Sequence, residues 1–125
     1  MIEERPLFDR VGGMPFFEQL VGQFYAGVAT DPVLRPIYPD ADLRPAQRRL
    51  TLFLAQYWGG PRIYDDERGH PRLRMRHAPF PIDATARDRW LEHMRAALAD
   101  LAPPPDAAAE LERYFEMAAE AMRNR

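Results

Sequence analysis

Gly69-His70-Pro71-Arg72-Leu73-Arg74-Met75-Arg76-His77-Ala78-Pro79-Phe80 gathers two of the chain's three histidines, three arginines and two prolines into a dozen residues. A neutral imidazole is a common metal ligand, yet a histidine among arginines is more often a surface residue or a phosphate contact. The stretch gains meaning from its place between helical segments. A plain helical bundle has no need of a long irregular centre so dense in arginine, histidine and proline, whereas function gathers on such loops when a rigid scaffold positions them. It therefore decides between two all-α architectures, an ordinary bundle and a helical fold that holds a cofactor, in favour of the second.

At 125 residues the chain fits a single domain over 1–125, large enough to close a hydrophobic core without staples. A formal net charge of −2, from 17 basic and 19 acidic residues, provides no global field for nucleic acid or an anionic membrane, so neither is an expected partner. The lack of cysteine excludes disulfides, thiolate catalysis and cysteine-held zinc or iron–sulfur sites, and leaves His, Asp, Glu, Tyr or Met to hold any metal. Met1-Ile2-Glu3-Glu4-Arg5-Pro6 has no apolar core of signal-peptide type and no later apolar run approaches membrane-spanning length, so a soluble, cytoplasmic protein is expected. The 13 prolines fall mostly between periodic segments, as punctuation between short helices.

Leu7-Phe8-Asp9-Arg10-Val11 reads as a helical turn or two stopped by Gly12-Gly13. From Pro15 to about Thr30, Phe17, Leu20, Val21, Phe24, Tyr25 and Val28 recur at three- and four-residue steps, the spacing of one buried helical stripe. Asp31-Pro32 ends that helix, and the proline-rich run Val33 to Pro39 predicts a single turn with Leu34, Ile37 and Tyr38 inward. A third helix starts near Pro45, with Ala46, Leu50, Phe53, Leu54 and Tyr57 as its stripe, and stops at Gly59-Gly60-Pro61. Arg62 to Arg74 has no sustained period and reads as loop carrying about a turn of helix. Pro79 and Pro81 interrupt any helix around His77, and Asp83 suits the N-cap of the next one, whose stripe is Trp90, Leu91, Met94, Ala97, Leu98 and Leu101. After Pro103-Pro104-Pro105, a last helix repeats Leu111, Tyr114, Phe115, Ala118 and Met122 at helical spacing. The sum is an all-α chain of two pairs of longer helices around an irregular centre.

Taken in order, Phe24-Tyr25, the Tyr38-Pro39 turn, Phe53-Leu54-Ala55-Gln56-Tyr57-Trp58-Gly59-Gly60-Pro61, the opening stretch through His77-Ala78-Pro79-Phe80, and Trp90 resemble the group II truncated haemoglobins. These are small bacterial globins with a two-over-two helical sandwich around haem, and the resemblance runs from about Phe8 to Met122. It implies haem b, iron protoporphyrin IX, with His77 as the proximal iron ligand. It further implies that Tyr25 and Trp90 donate hydrogen bonds to a ligand on the distal side, joined by Tyr38, while Ala46 fills the distal position where many larger globins place a histidine. Leu50, Phe53 and Leu54 match the apolar wall against the porphyrin. Arg49, Tyr64 and Arg76 match positions near the propionates, where a cation or phenol can satisfy a carboxylate. The two glycine pairs match motifs that let abbreviated helices turn sharply. The chain departs from the family mainly at its termini and at the triple proline.

Without the resemblance, Tyr25, Phe24 and Trp90 would all count as core residues, since they lie on apolar stripes. Phe24 stays core. His93, three residues after Trp90, is read as structural or exposed, and His70 as a loop residue. Met75 is expected to pack inward rather than act as a sixth ligand, because it and His77 cannot reach opposite faces of one haem. Three functional readings follow. The first is a haem protein that binds dioxygen and other diatomic ligands for sensing or redox chemistry rather than bulk transport, with no residue assigned a catalytic role. The second is a haem enzyme, a peroxidase or a nitric oxide dioxygenase served by a reductase. The third is a cofactor-free helical interaction domain that uses the arginine-rich loop. An exposed helix face would allow a homodimer, and nothing in the sequence requires one.

Overall fold

Prolines and one capping aspartate set the starts of the long helices in a computed structural model that describes residues 5–125. The signal-peptide reading of the first residues falls largely on 1–4, outside the described residues. Helix α1 is Leu7–Arg10, α2 is Met14–Val28, and a 3-10 turn covers Arg35–Ile37. Then follow α3 (Arg44–Tyr57), the short α4 (Ile63–Arg68) and α5 (Leu73–His77), α6 (Ala84–Leu101) and α7 (Pro105–Met122). Pro15, Pro45 and Pro105 each occupy the first turn of their helix, where an amide hydrogen is not needed. Asp83 caps α6 by accepting from the Ala86 amide at 2.8 Å. Among the described residues there is no strand, and no helix is long and apolar enough to cross a membrane.

The long helices form two pairs, α2 with α3 and α6 with α7, and α2 lies against α6 to join them. The α2 stripe is buried throughout, with Phe17, Leu20, Val21, Phe24 and Val28 wholly covered. Aromatic rings carry the core from one pair to the other: Phe17 stacks on Phe8 and Trp58, and Phe24 meets Trp90 edge-on at 5.1 Å. The sharp stop after α3 needs both of its glycines. Gly59 has φ +98°, and a Cβ there would lie 2.6 Å from Pro6, while one on Gly60 would lie 2.6 Å from the Phe8 ring.

The structure corrects the sequence reading at three places. The segment after Gly60 is more ordered than a loop. Gln56 on α3 exchanges two hydrogen bonds with Asp65, one to its amide and one to its carboxylate, each 2.9 Å, and so holds the six-residue α4 onto α3. Tyr57, placed on the inward stripe of α3, is half exposed because the helix ends there and its ring lies over Tyr114 at 4.3 Å instead of entering the core. Met75 points outward and is 59% exposed. Successive helical residues rotate by about 100°, so a residue two before the cavity-facing His77 falls on the opposite side of a five-residue helix.

Candidate functional site

The short α5 presents His77 in a defined tautomer. Its Nδ1 lies 2.6 Å from the Leu73 carbonyl, one helical turn back. A carbonyl only accepts, so Nδ1 carries the proton and the neutral ring keeps its free lone pair on Nε2. Pro79 and Pro81 prevent the helix from continuing, and Asn124, just beyond α7, secures the turn that results. Its side-chain amide donates to the carbonyls of His77 at 3.3 Å and Phe80 at 2.8 Å, and its oxygen accepts from the Ile82 amide at 2.9 Å. Arg76 is held by the backbone as well, donating to the carbonyls of Pro71 at 2.7 Å and Arg68 at 3.3 Å. His70 is exposed and accepts from the Arg72 amide at 3.1 Å.

Tyr25, Tyr38 and Trp90 come from three different elements and meet. The Tyr25 and Tyr38 rings lie edge to face at 5.5 Å. The Tyr38 phenol stands where its oxygen can accept from the Tyr25 hydroxyl and the Trp90 indole N–H. Burial pushes the Tyr25 phenol far above its usual range, with Tyr38 adding to the shift and the charge of Arg49 opposing it. Burial also raises Tyr38, against the hydrogen bonds of Tyr25 and Trp90. The phenols are therefore held protonated, as donors.

These groups line one cavity of about 500 Å³, within the range of roughly 300–1,000 Å³ usual for cofactor and ligand sites. Its wall takes Ala46, Arg49, Leu50, Phe53 and Leu54 from α3, Tyr64 from α4, and Arg76 and His77 from α5. Tyr25, Tyr38 and Trp90 complete the set, so every residue singled out for a site in the sequence borders the same space. Sequence reasoning missed Leu34, Ile37, Ile82, Tyr114, Phe115 and Met122 as lining. Most of these stand on apolar stripes, whose spacing marks an inward face but cannot say whether that face meets protein or a cavity. Tyr114 and Met122 stay half-buried for that reason.

Over residues 6–124 the sequence matches the bacterial-like globins. The chain belongs to the bacterial-like globin family. This globin is 48% identical over 86 residues to group 2 truncated hemoglobin YjbI of Bacillus subtilis, which covers 69% of this chain and 64% of that protein, less than two thirds of its length. Among solved structures, the hemoglobin of the thermophilic phototroph Chloroflexus aurantiacus superposes with a TM-score of 0.95 at 52% identity, covering 98% of this chain and 100% of the other. The thermostable hemoglobin of the actinobacterium Thermobifida fusca gives 0.93 at 58% identity, covering 95% and 97%. The fold is thus the all-α truncated-globin fold the sequence led us to expect.

Membership in a globin family implies haem, and the cavity suits it chemically. Among the described residues no cluster of three or more His, Asp or Glu could hold a bare metal ion. One imidazole with a free nitrogen in a large apolar space fits a metal that a macrocycle already holds. The Leu73 carbonyl on Nδ1 is the outer partner that fixes a metal-binding imidazole. Leu50, Phe53 and Leu54 provide flat apolar wall, and Arg49 and Arg76 provide cations suited to carboxylates.

Proposed function

We propose that this globin holds haem b through His77 and uses it to bind dioxygen and other diatomic ligands, with Tyr25, Tyr38 and Trp90 as the hydrogen-bonding side of the pocket. The observation that carries the reading is a single cavity bordered both by an imidazole whose Nδ1 is committed to a carbonyl and by a buried and a half-buried phenol with an indole N–H. The haem would supply an iron that coordinates a diatomic ligand. The protein's own residues do the rest. His77 would bind the iron through Nε2, while Leu73 prevents rotation of the ring. Leu50, Phe53 and Leu54 would cover the porphyrin and exclude water, and Arg49, Arg76 and Tyr64 would meet its propionates. Ala46 brings no donor, so stabilisation of a ligand with negative character falls to Tyr25, Tyr38 and Trp90.

Several donors on one small ligand slow its escape, which suits sensing or redox chemistry of oxygen, nitric oxide or peroxide better than bulk transport. A redox role needs an external electron source, a reductase of the cytoplasm.

Purified protein supplied with hemin is expected to show a Soret band, and His77→Gly to lose its haem rapidly to a scavenger apoprotein. Imidazole added to His77→Gly should restore binding. A chain that takes up no haem under any of these conditions would overturn the reading. Stopped-flow consumption of nitric oxide or peroxide with a cellular reductant then separates a redox role from simple binding.

A further inference from the structure

The largest buried polar cluster lies outside the cavity, at Asp31. Its carboxylate side chain is 2% exposed, and five donor contacts reach it. Oδ1 accepts from the amides of Val33 at 2.7 Å and Leu34 at 3.1 Å, and more distantly from Arg89 Nη2 at 3.4 Å. Oδ2 accepts from Arg89 Nε at 3.1 Å and from His93 Nε2 at 2.7 Å. The two amides belong to the turn after α2, and the two side chains to α6.

Each branch leads to a member of the aromatic group in the cavity. On the turn, the Asp31 carbonyl accepts from the Arg35 amide at 2.9 Å. The Arg35 guanidinium in turn donates to the carbonyls of Tyr38 at 3.0 Å, Asp40 at 2.8 Å and Ala41 at 3.0 Å. The carboxylate itself reaches this turn through the Val33 and Leu34 amides, while Arg35 ties the main-chain carbonyl of Asp31 to that of Tyr38. On α6, Arg89 and His93 fall on either side of Trp90 within about one helical turn. The third element joins through a close approach, since a Cβ on Gly27 of α2 would lie 2.3 Å from Nδ1 of His93. Gly27 is two residues from Tyr25, so the His93 ring sets the spacing of α2 and α6 beside both donors.

Burying a carboxylate costs desolvation that even good pairing only about offsets, and apolar packing of the same shape would serve stability as well. What a directional cluster adds is one fixed register between the elements it touches. We propose that Asp31, acting through His93 and Arg89 on α6 and through the Val33 and Leu34 amides on the turn, is a positioning residue that holds Tyr25, Tyr38 and Trp90 in register at the ligand end of the cavity. This rests on the haem-globin reading above.

The test is the infrared C–O stretch of carbon monoxide bound by the haem-loaded protein, together with the oxygen dissociation rate. Wild-type protein should give one narrow band. Asp31→Asn and His93→Leu should broaden or split it and speed oxygen release about 3- to 10-fold, the loss of one well-placed hydrogen bond. His93→Gln, which can still donate to Asp31, should recover the single band. In a Tyr25→Phe, Tyr38→Phe, Trp90→Phe background the Asp31→Asn change should have little further effect. If Asp31→Asn does not fold, His93→Leu decides the matter. Variants that lose thermal stability but keep the wild-type band and rate would make Asp31 a structural residue only and overturn the inference. Wild-type protein that binds no haem overturns the haem reading, and this inference with it.

Discussion

If His77 holds haem as proposed, its role turns on which ring nitrogen holds the proton, and the Leu73 carbonyl decides that at 2.6 Å. Tyr25 poses the complementary question, because a phenol serves as donor only while protonated. Burial, reinforced by Tyr38, holds it so. We therefore expect the oxygen dissociation rate to stay flat with rising pH up to about 10, the ordinary phenol value. A rate that climbs steadily through pH 8 and 9 would show that a donor had ionised. Tyr25→Phe should release oxygen faster by about 10- to 100-fold, since a hydrogen bond to a group with charge contributes about 1.5–3 kcal/mol. Equal rates in wild type and variant by laser photolysis or stopped flow would remove Tyr25 from the ligand's surroundings. The sequence supplied the residue types here, but tautomers and hydrogen-bond partners depend on atoms brought in from other parts of the chain.

The elements that bear the site are short and need outside support. Helix α5 has five residues, too few to be stable alone, and Asn124 from beyond α7 fastens its end. Asn124→Ala removes three side-chain hydrogen bonds on an exposed surface, and a loss of about 0.5–1.5 kcal/mol is expected. Faster amide exchange at Ile82 and faster haem transfer should accompany it; unchanged exchange at Ile82 would argue against the clasp. Asp31 joins two elements in the same manner. Burial alone would raise its pKa, but hydrogen bonds from His93, Leu34, Val33 and Arg89 prevail and hold it well below the usual carboxylate range. A carboxyl depressed in the folded state stabilises above its unfolded pKa of about 3.9 and loses that contribution as pH falls through the folded value. The stability gap between wild type and Asp31→Asn should therefore be full above about pH 5 and shrink as the pH falls toward 2. A gap constant across that range in acid titrations followed by circular dichroism would exclude the linkage.

For the molecule as a whole, the cavity divides apolar residues into two kinds that the sequence shows as one. Phe24 is fully buried against Tyr25 and Trp90, so Phe24→Ala should cost about 3–5 kcal/mol with or without haem. Phe53 borders the cavity, and Phe53→Ala should cost distinctly less in the apoprotein than in the haem-loaded protein. Denaturant melts of both forms measure the difference, and equal losses would mean that Phe53 packs only on protein. Haem should raise the melting temperature of the wild type by mass action, about 4 kcal/mol at a thousandfold excess over the dissociation constant.

The sequence by itself determined the helices. Periodicity, proline and glycine placed α2, α3, α6 and α7 to within two residues of their observed starts, because those signals act locally along the chain. The residues singled out for a site all border one cavity, though it took their order, read against a known family, to pick them from stripes that otherwise spell core. Only the tertiary structure decided that Met75 faces solvent, that Gln56 turns an aperiodic segment into α4, and that Asn124 and Asp31 fasten the two sides of the pocket. Met75 follows from which face of α5 the fold turns to the cavity. For Gln56, Asn124 and Asp31 the physical reason is the same: contacts between different elements, made through polar groups that carry no period.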